Sequence, residues 1–215
     1  MMGVKAHDRP GRGIHLTARF TLIAHGATEA QRRASFPLDE PVLERETARI
    51  IDLNWNTPRA DRVWAAPEHR AQQTSRILGL HAEIADALRD CDYGRWRGRA
   101  MEELQQEDPN GILSWLTDPG ATPHGGESID ALIGRVGSWM DEQLGMKHTV
   151  AVTHPAVIRA AIVYALRLPS QNFWRFDIAP MTLTDLRFGR DVWTVRCTGC
   201  ALNTKEQSEG REAAR

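Results

Sequence analysis

Short apolar runs alternate with amphipathic segments along the chain, and this alternation predicts its elements. Residues 20–23 read as a buried strand that breaks abruptly at His25-Gly26, and a polar, helix-compatible segment follows over 29–34. Residues 35–41 form a loop. Val42, Leu43, Ala48, Ile50 and Ile51 then recur at spacings that suit an amphipathic helix over 44–53 packed on a sheet. Residues 62–65 are a second strand, after which Pro67 opens a helix running to about Leu78. A third extended piece lies near 82–85. Two short helices follow, over 101–107 and around 112–116, and Ser128 caps a longer one carrying Leu132, Ile133, Val136, Trp139 and Met140. Residues 148–153 are a buried strand broken at His154-Pro155, and a strongly apolar helix follows over 156–166. Two strand-like runs, 181–188 and 192–197, close the pattern.

Strands alternating with helices predict an α/β fold, a largely parallel sheet covered on both faces. Residues 1–17 lack an apolar targeting core and read as a flexible leader, and 201–215 as a flexible tail. Between them, 18–200 form one domain. The glycine- and proline-punctuated stretch at about 99–125 is too long for a tight connector and reads as a small inserted helical cap.

Composition narrows the function classes. With 27 basic against 28 acidic residues, no global field attracts nucleic acid or a membrane surface, and no apolar run is long enough to span a bilayer. Any anion selectivity must come from local arginines, which far outnumber lysines here. Three cysteines, Cys91, Cys197 and Cys200, are too few and odd in number for a disulfide framework, which fits a cytoplasmic protein. Cys197 and Cys200 have redox or half-zinc spacing but no second ligand pair, so an oxidoreductase or a metal site has little support.

The candidate chemistry sits at strand ends. His25 and His154 each follow an apolar strand and precede a turn and a helix, and Arg70 follows the strand at 62–65. In a parallel sheet these ends share one edge, where open α/β sheets place their ligands. Gly26 would let a ligand approach backbone N–H groups. Glu127 and Arg135 read as a structural ion pair. His69 and His124 are loop histidines, read as solvated unless they line the mouth of the site. Trp64, Trp139 and Trp193 read as core, with Trp96 and Trp115 in the cap.

These landmarks resemble the histidine phosphatase superfamily, the phosphoglycerate mutase-like proteins. The resemblance rests on Ala24-His25-Gly26-Ala27-Thr28, on Ala66-Pro67-Glu68-His69-Arg70-Ala71-Gln72-Gln73-Thr74, and on Asp90-Cys91-Asp92-Tyr93-Gly94-Arg95-Trp96. Gly126-Glu127-Ser128 and Val152-Thr153-His154-Pro155-Ala156-Val157-Ile158-Arg159 complete it, in the family's order. It implies a three-layer α/β/α sheet and a metal-independent phosphomonoester hydrolase that needs no cofactor and acts on a small-molecule phosphomonoester. It also implies that His25 is the nucleophile and that Asp90 is the general acid and base, with Asp92 a nearby alternative. Arg70 and His154 would hold the phosphoryl oxygens, with Gly26 and Thr28 in the phosphate-binding loop. Two departures stand out. Ala24 replaces the arginine of the family's Arg-His-Gly, and Asp90 stands where many relatives carry glutamate. Arg32 and Arg33 are candidates to replace the missing guanidinium. A degenerate phosphate-binding member without turnover is the alternative function.

Overall fold

The computed structural model describes residues 16–53, 55 and 58–202. Most of the expected leader and tail therefore lies outside the described residues. A six-stranded sheet runs in the order β3-β2-β4-β1-β5-β6. Its strands are β1 (Ala18–Ala24), β2 (Arg62–Ala65), β3 (Glu83–Ile84), β4 (His148–Thr153), β5 (Thr182–Gly189) and β6 (Val192–Ala201). The first four are mutually parallel, but β5 pairs antiparallel with both β1 and β6. The sheet is thus mixed where a largely parallel one was expected. β5 and β6 are joined by two residues, Arg190 and Asp191, both at positive φ, and a hairpin that tight can only return antiparallel.

Every residue of β4 is buried, and in β1 only Arg19 is not. Such continuous burial belongs to central strands covered on both faces. The covering helices are α2 (Glu44–Asp52), α3 (His69–Ile77), α6 (Ile129–Glu142) and α7 (Pro155–Ala165), with the short α1 (Glu29–Arg32) after β1. Along α2 only Ile50 is buried, whereas Ile51 faces outward. Gly137 of α6 lies under the Tyr164 ring of α7, and a Cβ there would collide with it. The missing side chain brings the two helices into close contact. Ser128 caps α6 by accepting the Ala131 N–H.

Register brings the two histidines together. Ala24 pairs with Thr153 and the His25 N–H bonds the Thr153 carbonyl at 3.0 Å, so the residues after β1 and β4 emerge side by side. Ala65 pairs with Val152, which places the segment from Pro67 to Arg70 on the same edge.

Over that edge lies a separate aromatic cluster. Phe36, Trp96, Leu104, Ile112 and Trp115 bury one another, using α4 (Met101–Glu107) and α5 (Pro109–Thr117). His124, expected in solvent, is buried here: its ring stacks edge-on to Trp96 at 5.0 Å, and its Nδ1 accepts the Gly126 N–H. The Gly126 backbone passes so close to the Asp92 carbonyl that a Cβ would not fit, and Gly94 meets the His124 carbonyl in the same way at φ +47°. These two glycines weld the 90–94 segment to the 124–127 segment. Trp139 is core as expected. Trp64 and Trp193 are only partly buried: Trp64 turns its indole N–H to Gln143, and Trp193, the second residue of the edge strand β6, packs edge-on against Phe20.

Candidate active site

The residues at the carboxyl edge of β1, β2 and β4 enclose a cavity of about 150 Å³, lined among others by His25, Thr28, Gln31, Arg70, Asp90 and Arg159. Each is placed by a local reason. His25 is the first residue past β1. Its Nδ1 lies 2.8 Å from the Gly26 carbonyl, which can only accept, so Nδ1 carries the proton and Nε2 keeps its lone pair. Burial, then the neighbouring His154 and Arg70, hold its pKa well below the usual imidazole value, against the Gly26 carbonyl and Glu68. A neutral imidazole with a free Nε2 is a nucleophile in its reactive form.

Arg70 is 2% exposed, one of the most deeply buried cations in the protein. It donates to the Leu38 carbonyl and to Asp90 Oδ2, both at 2.7 Å. Asp90 also lies 3.5 Å from His154 Nδ1. Asp92 is exposed and spends Oδ1 on the Gly94 N–H, and it is not on the wall of the His25 cavity. Of the two candidate acids, Asp90 is the one that lines the cavity with His25.

His154 is fully buried, its ring centroid 5.1 Å from that of His25. It lies behind the cavity wall rather than on it. Its Nε2 donates to Glu68 Oε2 at 2.7 Å, while Nδ1 has no hydrogen-bond partner among the described residues. Glu68 Oε1 accepts the Asp90 N–H at 3.0 Å. Burial pushes the Glu68 carboxyl up. Its bond to His154, the His154 imidazole itself and two backbone N–H groups outweigh that and bring it down to about 2.

Gly26 does not act as expected. Its N–H donates to Thr74 Oγ1 at 3.0 Å, and Gly26 is not on the cavity wall. Its φ is not positive either; a Cβ would sit 2.7 Å from Val42 Cγ1, so the glycine serves packing. Thr28 and Gln31 form a capping box at the start of α1 and line the cavity together. Arg32 and Arg33, the expected replacements for the arginine absent at Ala24, are both tied to Glu29 on the exposed face of α1. The guanidinium that does reach the cavity beside Arg70 is Arg159. Its Nε donates to the Phe176 carbonyl at 2.7 Å, and its Nη groups have no acceptor among the described residues.

Glu68 and Arg159 were not singled out as site residues from sequence. Arg159 had a signal: it is the only charged residue of α7, whose other side chains are nearly all apolar. A cation on such a helix is buried at a cost unless it has a task. Glu68 had only its place two residues before Arg70.

The family model for the histidine phosphatase superfamily (branch 1) matches residues 20–201. The chain belongs to that superfamily. Among relatives of this chain is the glucosyl-3-phosphoglycerate phosphatase of Mycolicibacterium vanbaalenii, 27% identical over 210 residues, covering 81% of this chain and 93% of that one. Phosphoserine phosphatase 1 of Hydrogenobacter thermophilus is 25% identical over 168 residues, covering 72% and 79%. The chain spans about half the length of the first curated relatives it matches: it covers 50% of a bifunctional protein of Mycobacterium tuberculosis at 28% identity. The fold superposes on a mycobacterial glucosyl-3-phosphoglycerate phosphatase in complex with VO3, with a TM-score of 0.76 at 21% identity, covering 86% of this chain and 100% of that one. For the alpha-ribazole phosphatase of Shigella flexneri the TM-score is 0.74 at 23% identity, covering 87% and 99%.

Among the described residues, no group of three or more His, Cys, Asp or Glu is placed to hold a metal ion, and no helix is long and apolar enough to cross a membrane. Cys197 and Cys200 sit on the edge strand β6, and burial first, then Cys200, raises the Cys197 thiol to about 11, away from the thiolate that redox chemistry needs.

The depressed groups give a pH prediction. Because His25 is lowered in the folded protein, the unfolded chain takes up its proton first once pH falls below about 6.5, and stability declines from there. Glu68 contributes stability above its unfolded value of about 4.3, lost as pH falls toward about 2. Urea unfolding of the wild type should therefore weaken in two stages on acidification. His25→Gln should reduce the first stage, to which the buried His124 and His148, also held below the ordinary imidazole value by burial, contribute, and leave the second. An unchanged profile in that variant would show that His25 titrates normally.

Proposed function

We propose that this protein is a metal-independent phosphomonoesterase acting through a phosphohistidine at His25. The observation that carries the reading is the state of His25: buried, neutral and locked by the Gly26 carbonyl with Nε2 free, on the wall of a cavity shared with Arg70 and Asp90. Nε2 attacks phosphorus in line with the ester oxygen; the P–N bond forms as the P–O bond breaks. Arg70 turns from Asp90 to the equatorial phosphoryl oxygens, where charge-assisted bonds stabilise the transition state. Asp90, in its protonated form, gives its proton to the leaving alkoxide as the P–O bond breaks. In the second half Asp90 accepts a proton from water, whose oxygen attacks phosphorus and displaces Nε2. Glu68 holds His154 against the back of the site. Arg159 supplies a second cation on the same wall, in the absence of an arginine at position 24.

A non-catalytic phosphate-binding role is the second reading, and Ala24 is the feature that favours it. Rapid mixing with an aryl phosphate, an alkaline quench and mass spectrometry decide between them. A phosphoryl group on the peptide containing His25, formed and discharged at the rate of turnover, supports the enzyme. Its absence in wild type together with its appearance in Ala24→Arg would favour the binding role.

A further inference from the structure

Beside the His25 cavity lies a second one of about 240 Å³. Ser35, Pro37, Tyr93, Ala156 and Arg159 belong to the walls of both, so the two cavities adjoin along a shared wall. The far wall is aromatic and thioether: Phe36, Met101, Trp115, Phe173 and Trp174. We propose that this chamber receives the leaving group, and that the substrate is the phosphate ester of an alcohol bearing an aromatic or similarly flat apolar group. The inference rests on the phosphatase reading above and specifies its substrate class.

Three observations carry it. The far wall offers almost nothing to a charged or polyhydroxylated leaving group, whose burial there without partners would be costly. Its rings are already arranged edge-on, Trp115 to Trp174 at 4.5 Å and Phe36 to Trp115 at 5.3 Å between centroids, the geometry that receives a further ring. The one charge in the chamber stands at the junction with the His25 cavity. Arg159 is anchored there through Nε to the Phe176 carbonyl, its guanidinium carbon 5.9 and 5.7 Å from the Phe173 and Trp174 centroids. A phosphoryl group near His25 and a ring in the chamber would have the guanidinium between them.

The test compares two esters of primary alcohols, 2-phenylethyl phosphate and ethyl phosphate, whose leaving groups differ in the ring rather than in chemistry. Steady-state kcat/KM and phosphohistidine formation are measured for each. The phenyl ester is expected to be favoured by about 10- to 100-fold, the scale of burying one apolar ring. In Met101→Glu, where a carboxylate enters the chamber at a partly exposed position, that ratio should fall toward one. Equal or better use of ethyl phosphate, with phosphohistidine still formed, would overturn the chamber assignment and leave the phosphatase standing. A preference that survives Met101→Glu would also overturn it, since the ring would then be held elsewhere. No phosphohistidine from either ester removes both readings.

Discussion

His25→Ala is expected to lose turnover by roughly 10⁴- to 10⁶-fold, the scale on which removal of an activated nucleophile acts. The loss should fall in kcat. Arg70 and Arg159 line the cavity independently of the imidazole, so phosphate should still bind. The fold should hold, because the contact tying residue 25 to β4 is a backbone bond to Thr153, which alanine keeps. Measuring phosphate release alongside circular dichroism separates chemistry from folding. A folded variant with undiminished turnover would mean that water attacks phosphorus directly or that another group does.

Arg70→Ala should cost both activity and stability. Removing one preorganised donor from the phosphoryl oxygens is expected to lower kcat/KM by about 10²- to 10³-fold. The same change leaves Asp90 without its 2.7 Å partner and the Leu38 carbonyl without its donor. Breaking a buried ion pair from one side costs about 3–5 kcal/mol. Arg70→Lys keeps the charge but not the planar fork that reaches both acceptors, so it should recover part of the stability and little of the rate. Urea midpoints and kcat/KM on one set of proteins test this. A variant as stable as wild type with unaltered kinetics would remove Arg70 from the site.

The two histidine positions are legible because each ends an apolar run with a turn, and that pattern is local. The 90–94 segment is legible for the same reason: its acid, aromatic and glycine fall in a fixed spacing, and Gly94 adopts the positive φ that the turn demands. Gly26 looked like a ligand-approach glycine from the same kind of evidence. Its N–H in fact goes to Thr74, forty-eight residues away, which no local pattern reports. Nearness in sequence to His25 makes Arg32 and Arg33 candidates for the missing guanidinium. The i,i+3 and i,i+4 spacing of a helix gives both to Glu29 instead.

The sequence by itself determined the order of strands and helices, the α/β class and the family, since periodicity, caps and motif order all live within short windows. It also put His25, Arg70 and His154 at strand ends. Only the tertiary structure decided which groups meet. Glu68 reaches His154 across eighty-six residues, Asp90 rather than Asp92 reaches Arg70, and Arg159 rather than Arg32 or Arg33 turns toward the cavity. Those pairings depend on strand register and on the depth at which a charge is buried. A buried charge must find its partner wherever the fold places one, whatever the distance along the chain.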